Sequence, residues 1–210
     1  MLIIAIDQAI TTGWAVLSDT GCVLDSGSIC FRGSKDSAGE SRGMMFLRFS
    51  KWLSRLIGDR LMQHREVAAD ATHTGVLVIH ERPLIYRSGA ATEIAAGLKA
   101  IIEQVVADAA SDTFVNVCGG INVTSVNPAI LKHWATGDGR AGKEKMVQAV
   151  RISCPNINPK DDNEADAILI GKWAAENFGS MPHTTFEEIR NRLTPPPPPR
   201  QKRRRKPMAS

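Results

Sequence analysis

Asp7, Glu81 and Asp166 are the side chains of this sequence whose settings ask for chemistry. Asp7 closes the apolar run LIIAI, residues 2–6, and another apolar segment, GWAVL, soon follows. Glu81 ends VLVIHE, and Asp166 stands beside Ala167, Ile168 and Leu169 in a segment with helical spacing. A carboxylate on a face that should be packed is costly unless something neutralises it. Divalent cations do so: hard ions such as magnesium take carboxylate oxygens. Two ions about 4 Å apart can activate a water and stabilise the leaving oxygen of a phosphodiester. Such chemistry needs no histidine or cysteine nucleophile. Each acid also has a plainer explanation. Asp7 lies just before Thr11, Thr12 and Gly13 and suits a turn cap. Glu81 has Arg82 and Arg87 as neighbours for an ion pair, and Asp161, Asp162 and Glu164 suit the positive end of a helix.

The elements that must position these acids are legible in outline. LIIAI with Asp7, GWAVL, and CVLDSGSIC beyond a turn at Asp19–Gly21 predict three short strands in an antiparallel meander. Residues 40–64 place Met44, Leu47, Trp52, Leu56 and Ile57 at mostly three- and four-residue spacing, which predicts an amphipathic helix. GVLVIHE is uniformly apolar from Val76 to Ile79, as a strand covered on both faces should be. Residues 88–110, rich in alanine, predict a second long helix. FVNVCGGINVTSV predicts a strand region interrupted by Gly119 and Gly120. NPAILKHWATG and GKEKMVQAVRISC read as shorter helices, and residues 161–179 as a last helix ended by Gly179. This order predicts an α/β mixed sheet with helices against its faces.

The composition, 43% apolar and 23% charged over 210 residues, is that of an ordinary folded domain. No run approaches the roughly 18 apolar residues of a membrane span, and the first residues lack the pattern of a signal peptide, so a cytoplasmic location is expected. Cys22, Cys30, Cys118 and Cys154 show no zinc-ligand spacing and are expected to be reduced thiols. The formal charge of +4 is unevenly distributed: RQKRRRK, residues 200–206, carries six of the 26 basic residues and leaves 20 against 22 acids. It follows PPPPP, residues 195–199, which favours an extended spacer. Arg200, Lys202, Arg203, Arg204, Arg205 and Lys206 thus read as a phosphate-seeking arm, or more blandly as a solubilising tail or a localisation signal.

Four segments taken together, IIAIDQAITTGWAVL, VLVIHERP, VNPAILKHWATGDGRAGKEKMVQAV and DDNEADAILIGKWA, resemble in order the RuvC family of Holliday junction resolvases, particularly its divergent phage-type members. The similarity spans about residues 1–177. It implies an RNase H-like fold, with a five-stranded sheet of three antiparallel and then parallel strands and helices on both faces. Residues 1–180 would form the nuclease domain, 181–194 an extension, and 195–210 a Pro-rich, basic, disordered tail.

Asp7, Glu81 and Asp166 match the family's metal-binding acids, and Lys143 matches a basic residue through which the family approaches DNA. One position departs: family members usually carry an acid or histidine three residues before the last acid, and here it is Asn163. Asp162, four residues before Asp166 and on the same helical face, is taken as the fourth metal and catalytic residue. Asn163 could instead offer its carbonyl, and Glu164 should point away. The resemblance implies metal-dependent hydrolysis, with Mg2+ or Mn2+, of a branched DNA by a homodimer, in a host cytoplasm if phage-encoded. Lys143 and Arg140 would neutralise phosphates, Ser88 would offer a helix N-terminus to a phosphate or simply cap the helix, and Tyr86 would stack on an unpaired base or simply pack. Two other functions compete. A protein with the same fold and a spoiled metal site would bind junctions and cut nothing. AIDQAITTGWAVL also resembles the first phosphate loop of sugar kinases of the glycerol kinase type, although the chain is too short for their two lobes.

Overall fold

The computed structural model describes residues 1–33, 41–67, 75–83, 89–112 and 120–179. Three strands open the chain: β1 (Leu2–Asp7), β2 (Thr11–Ser18) and β3 (Val23–Cys30). Helix α1 (Arg42–Val67), strand β4 (Val76–Glu81), helix α2 (Gly89–Ala110) and strand β5 (Ile121–Val126) follow. The chain then runs through α3 (Pro128–Thr136), α4 (Lys143–Ser153) and α5 (Asp162–Phe178). The strands form one sheet in the order β3-β2-β1-β4-β5. β1–β2 and β2–β3 are antiparallel, and β1–β4 and β4–β5 are parallel. This is the mixed sheet expected from the order of elements, with the five strands that the family resemblance implied.

Both faces of the sheet are covered, which explains why the central strands alternate little in polarity. Ile4, Ile6, Val16 and Val78 pack with Phe49, Leu53 and Ile57 of α1 and Leu98 and Ile102 of α2. Ile3, Ala5, Leu17, Leu77 and Ile79 pack with Leu131 of α3, Met146 and Val150 of α4, and most of α5. The period of two then decides where the acids go. Asp7 continues the Ile3–Ala5 row and Glu81 continues the Leu77–Ile79 row, so both face α5. Their strands are neighbours in register, with Ile6 paired to His80 one step before the acids.

The N-terminal half of α5 rests directly on β2. Gly13, the cross-strand partner of Asp7, lies under the backbone carbonyl of Asn163, where any Cβ would overlap it. Farther along, a Cβ on Gly171 would collide with Leu17. Asp161 caps α5 by accepting the Glu164 N–H at 2.9 Å, and Ser28 donates to Asp161 at 2.5 Å. Buried Glu164 accepts from Ser26 at 2.6 Å and from the Lys160 N–H at 2.8 Å, which turns it toward β3 and away from Asp166. Gly13→Ala is therefore expected to lift the start of α5 and cost about 1–3 kcal/mol by overpacking. Chemical denaturation checks this, and a variant as stable as the wild type would contradict it.

Two local expectations are corrected. The buried stripe of α1 is Met45, Phe49, Leu53, Leu56, Ile57 and Leu61, whereas Met44 and Leu47 are each 45% exposed. Four apolar residues in succession, Met44 to Leu47, leave the phase of the helix open until the sheet chooses a face. Gly179 follows α5 with right-handed φ −61°, not the left-handed geometry of a glycine cap; a side chain there would strike the Asp19 carbonyl. Left-handed glycines do occur at Gly21 in the β2–β3 turn, at Gly120 before β5 and at Gly137 after α3. The strand region expected over residues 114–126 is a strand from Ile121, and 113–119 lie outside the described residues. Among the described residues no helix is long and apolar enough to cross a membrane.

Candidate active site

Asp7 is not the cap of its own turn. The buried Thr12 hydroxyl donates to the Ala9 carbonyl at 2.7 Å and closes the β1–β2 connection by itself. The Asp7 carboxyl is left facing other acids. Burial against the sheet pushes its pKa well above the usual carboxylate range, and the charges of Glu81, Asp166 and Asp162 push it further, in that order. Glu81 is raised to about 7 by burial and by Asp166. Asp166 is raised to about 6 by burial; Lys132 works against this rise and Asp162 adds to it. Four carboxylates from β1, β4 and the first two turns of α5 thus share one electrostatic neighbourhood.

Opposite charge enters from α3 and α4. Lys132 of α3 lowers the pKa of both Glu81 and Asp166. Lys143, the first residue of α4, forms an ion pair with Asp162, and its field reaches Asp166 and Asp7. Its hydrogen bond to Asp162 raises its own pKa. Lys143, expected to meet DNA phosphate, here sits on an acid of the cluster. Arg140 lies exposed in the α3–α4 loop, where its N–H donates to Asp138 at 2.9 Å. Asn163 turns its backbone carbonyl to Gly13 and is one of the residues lining a cleft.

The donor chemistry fits a hard divalent cation. It consists of carboxylate oxygens, their charges repel in a desolvated setting, and Asp166 Oδ1 is buried with no hydrogen-bond partner. Among the described residues, however, no three His, Cys, Asp or Glu side chains are already drawn together as a ligand shell. The acids are near enough to raise one another's pKa values without converging on one point, as mutually repelling charges with an ammonium among them should do. Ser88, Tyr86 and the basic residues Arg200, Lys202, Arg203, Arg204, Arg205 and Lys206 lie outside the described residues, as does Cys118. Cys22, Cys30 and Cys154 are free thiols.

Sequence reasoning missed Lys132 and Gln8. Lys132 has no acid three or four residues away in its own helix, a sign that its partner lies elsewhere. Gln8 carried no comparable signal. Its amide Nε2 donates to the Glu81 carbonyl and ties the end of β1 to the end of β4.

No protein-family model matches the chain, and no curated protein matches it. Solved structures do. RuvC of Thermus thermophilus matches with a TM-score of 0.53 and 19% identity, over 83% of this chain and 93% of that one. T. thermophilus RuvC in complex with a Holliday junction substrate matches at 0.54 and 19%, over 84% and 96%. The yeast mitochondrial Holliday junction resolvase aligns at 0.42 and 12%, over 84% and 81%. The chain therefore has a RuvC-like fold of the RNase H type.

Proposed function

We propose that this chain is a structure-selective endodeoxyribonuclease that cuts four-way or related branched DNA by metal-assisted phosphodiester hydrolysis, working as a homodimer. The observation that carries the proposal is the meeting of Asp7, Glu81, Asp162 and Asp166, acids from three distant segments whose burial and mutual repulsion raise three of their pKa values. The likeness in fold to a resolvase that was solved on a Holliday junction supports the choice of substrate. Asp7, Glu81, Asp166 and Asp162 would hold the ions. Bound there, magnesium or manganese would supply an activated water and stabilise the leaving oxygen. Lys132 opposes the burial-driven rise in the pKa values of Glu81 and Asp166. Lys143, released from Asp162, and exposed Arg140 then offer positive charge to the phosphates flanking the scissile bond.

The test is incubation of the protein with magnesium and a synthetic four-way junction, a linear duplex of the same sequence, or ATP alone. Nicking confined to the junction supports the proposal. Binding without nicking would favour a junction-binding protein with an impaired site, a reading to which Asn163 and the Lys143–Asp162 pair lend some weight. ATP turnover without DNA would favour a phosphotransferase.

The basic run at 200–206 is assigned to non-specific phosphate contact. Deletion of residues 195–210 is expected to weaken junction binding and flatten its salt dependence by about 0.9 log unit per lost phosphate contact. Selectivity for junction over duplex should persist, since phosphate contacts position rather than specify. An unchanged salt slope in filter-binding titrations would remove this role.

A further inference from the structure

We propose that the cleft beside the acids, between the β1–β2 turn and α2, is a subsite for one unstacked nucleobase of the strand being cut, with Gln8 accepting a hydrogen bond from the base edge. The inference rests on the nuclease reading and adds to it a device for choosing where the strand is held. The cleft encloses about 530 Å3, within the range of pockets that hold small organic groups. Ile10 from the turn and Ala91, Ile94 and Ala95 from α2 make its walls largely apolar, and Gln8 and Asn163 are its amide-bearing residues. Gln8 follows Asp7 and Asn163 follows Asp162, so although Asp7 turns toward α5 and Gln8 toward α2, the cleft opens at the same end of the sheet as the acids.

Gln8 narrows the chemistry of the occupant. The residue is only 8% exposed, and its Nε2 donates to the Glu81 carbonyl. A carbonyl can only accept, so the orientation of the amide is fixed and Oε1 is left as an acceptor. That oxygen is buried and has no partner in the protein. An unmet buried acceptor lowers stability, and a ligand that brings a donor recovers the loss. Phosphate oxygens offer no donor, and a deoxyribose ring offers no flat apolar face. A nucleobase has both: two apolar faces for Ile10 and Ile94, and an exocyclic amine or ring N–H on its edge. At a branch point stacking is already interrupted, so withdrawing a base there costs less than within a continuous duplex.

The test is an abasic scan with the full chain and magnesium, in which each base flanking the mapped nick of a four-way junction is deleted in turn. At one position the wild type should lose about tenfold in kcat/KM, the scale of a lost base-edge contact. Gln8→Leu and Ile94→Trp, which alter the cleft from opposite walls, should each cut the intact junction about tenfold more slowly and be indifferent to the abasic substitution there. Thermal melts of both variants guard against simple unfolding. A wild-type scan flat to within about twofold at every position would overturn the subsite, as would variant and abasic losses that add independently. A wild type that cuts junctions with a flat scan leaves the nuclease reading standing without the subsite, whereas one that neither binds nor cuts a junction overturns both.

Discussion

Asp7→Asn is expected to abolish junction cutting, with a loss of about a thousandfold or more, while junction binding stays within about threefold of the wild type. Asn has nearly the size of Asp but no charge, so the β1–β2 turn, which Thr12 closes by its own hydrogen bond, should survive the change. What disappears is the carboxylate nearest the centre of the acid cluster, the one that feels Glu81, Asp166 and Asp162 together. Single-turnover cutting of a labelled junction, with affinity measured in parallel by gel shift, checks both halves. Residual cutting within tenfold of the wild type would show that the chemistry lies elsewhere, and a parallel collapse of binding would mean that Asp7 organises the DNA surface instead.

The second large effect concerns stability. Glu81 and Asp166 are raised in the folded protein to about 7 and about 6, and Asp7 also lies well above its ordinary range. A carboxyl with a raised folded-state pKa holds a proton that the unfolded chain has already released, so the ion-free fold loses stability as pH climbs from about 4 toward 7. One pKa unit corresponds to about 1.4 kcal/mol, and with allowance for partial exposure the loss is on the order of 3 kcal/mol. For a chain of this size that is a fall in Tm of roughly 6–12 °C. Buried His80, whose pKa is lowered by desolvation, contributes the opposite slope below its ordinary value. The informative quantity is therefore the wild type minus Asp7→Asn.

Melting curves in a chelator should show Asp7→Asn more stable than the wild type at pH 8, with the gap closing toward pH 4.5. Magnesium should raise the wild-type Tm more at pH 8 than at pH 5, because protons and ions compete for the same oxygens. Parallel pH profiles for the two proteins, or a magnesium effect independent of pH, would contradict the electrostatic account of the site.

The parts of this architecture that a local rule governs could be read from the chain. The uniformly apolar VLVI run meant a strand covered on both faces, the turn before CVLDSGSIC contained the glycine that its backbone needs, and Asn127 and Gly137 bounded α3 as cap chemistry predicts, with the Asn127 side chain accepting the Ala129 N–H at 2.8 Å. Alternation along β1 and β4 also carried Asp7 and Glu81 to one face. Contacts between distant segments were less accessible. That Glu164 serves β3 while Asp162 meets Lys143 depends on how α5 is seated, and its seat depends on Gly13, 150 residues away from Asn163 in the chain. Lys132 and Gln8 belong to the same class: nothing near them in sequence states what they face. Position 163 illustrates the limit, since it borders the cleft and sets its carbonyl over Gly13 while its neighbour Asp162 joins the acids.

The acids are contributed by β1, β4 and α5. No shorter stretch of the chain contains them all, and β1 with β4 alone would leave Asp7 and Glu81 without the helix that carries Asp162 and Asp166. On the nuclease reading proposed above, a polypeptide still emerging from the ribosome, or one cut short before residue 166, has no complete cutting site to turn on a chromosome. That reading withholds the capacity to sever DNA until synthesis of the domain is nearly finished and its sheet and α5 have closed upon each other.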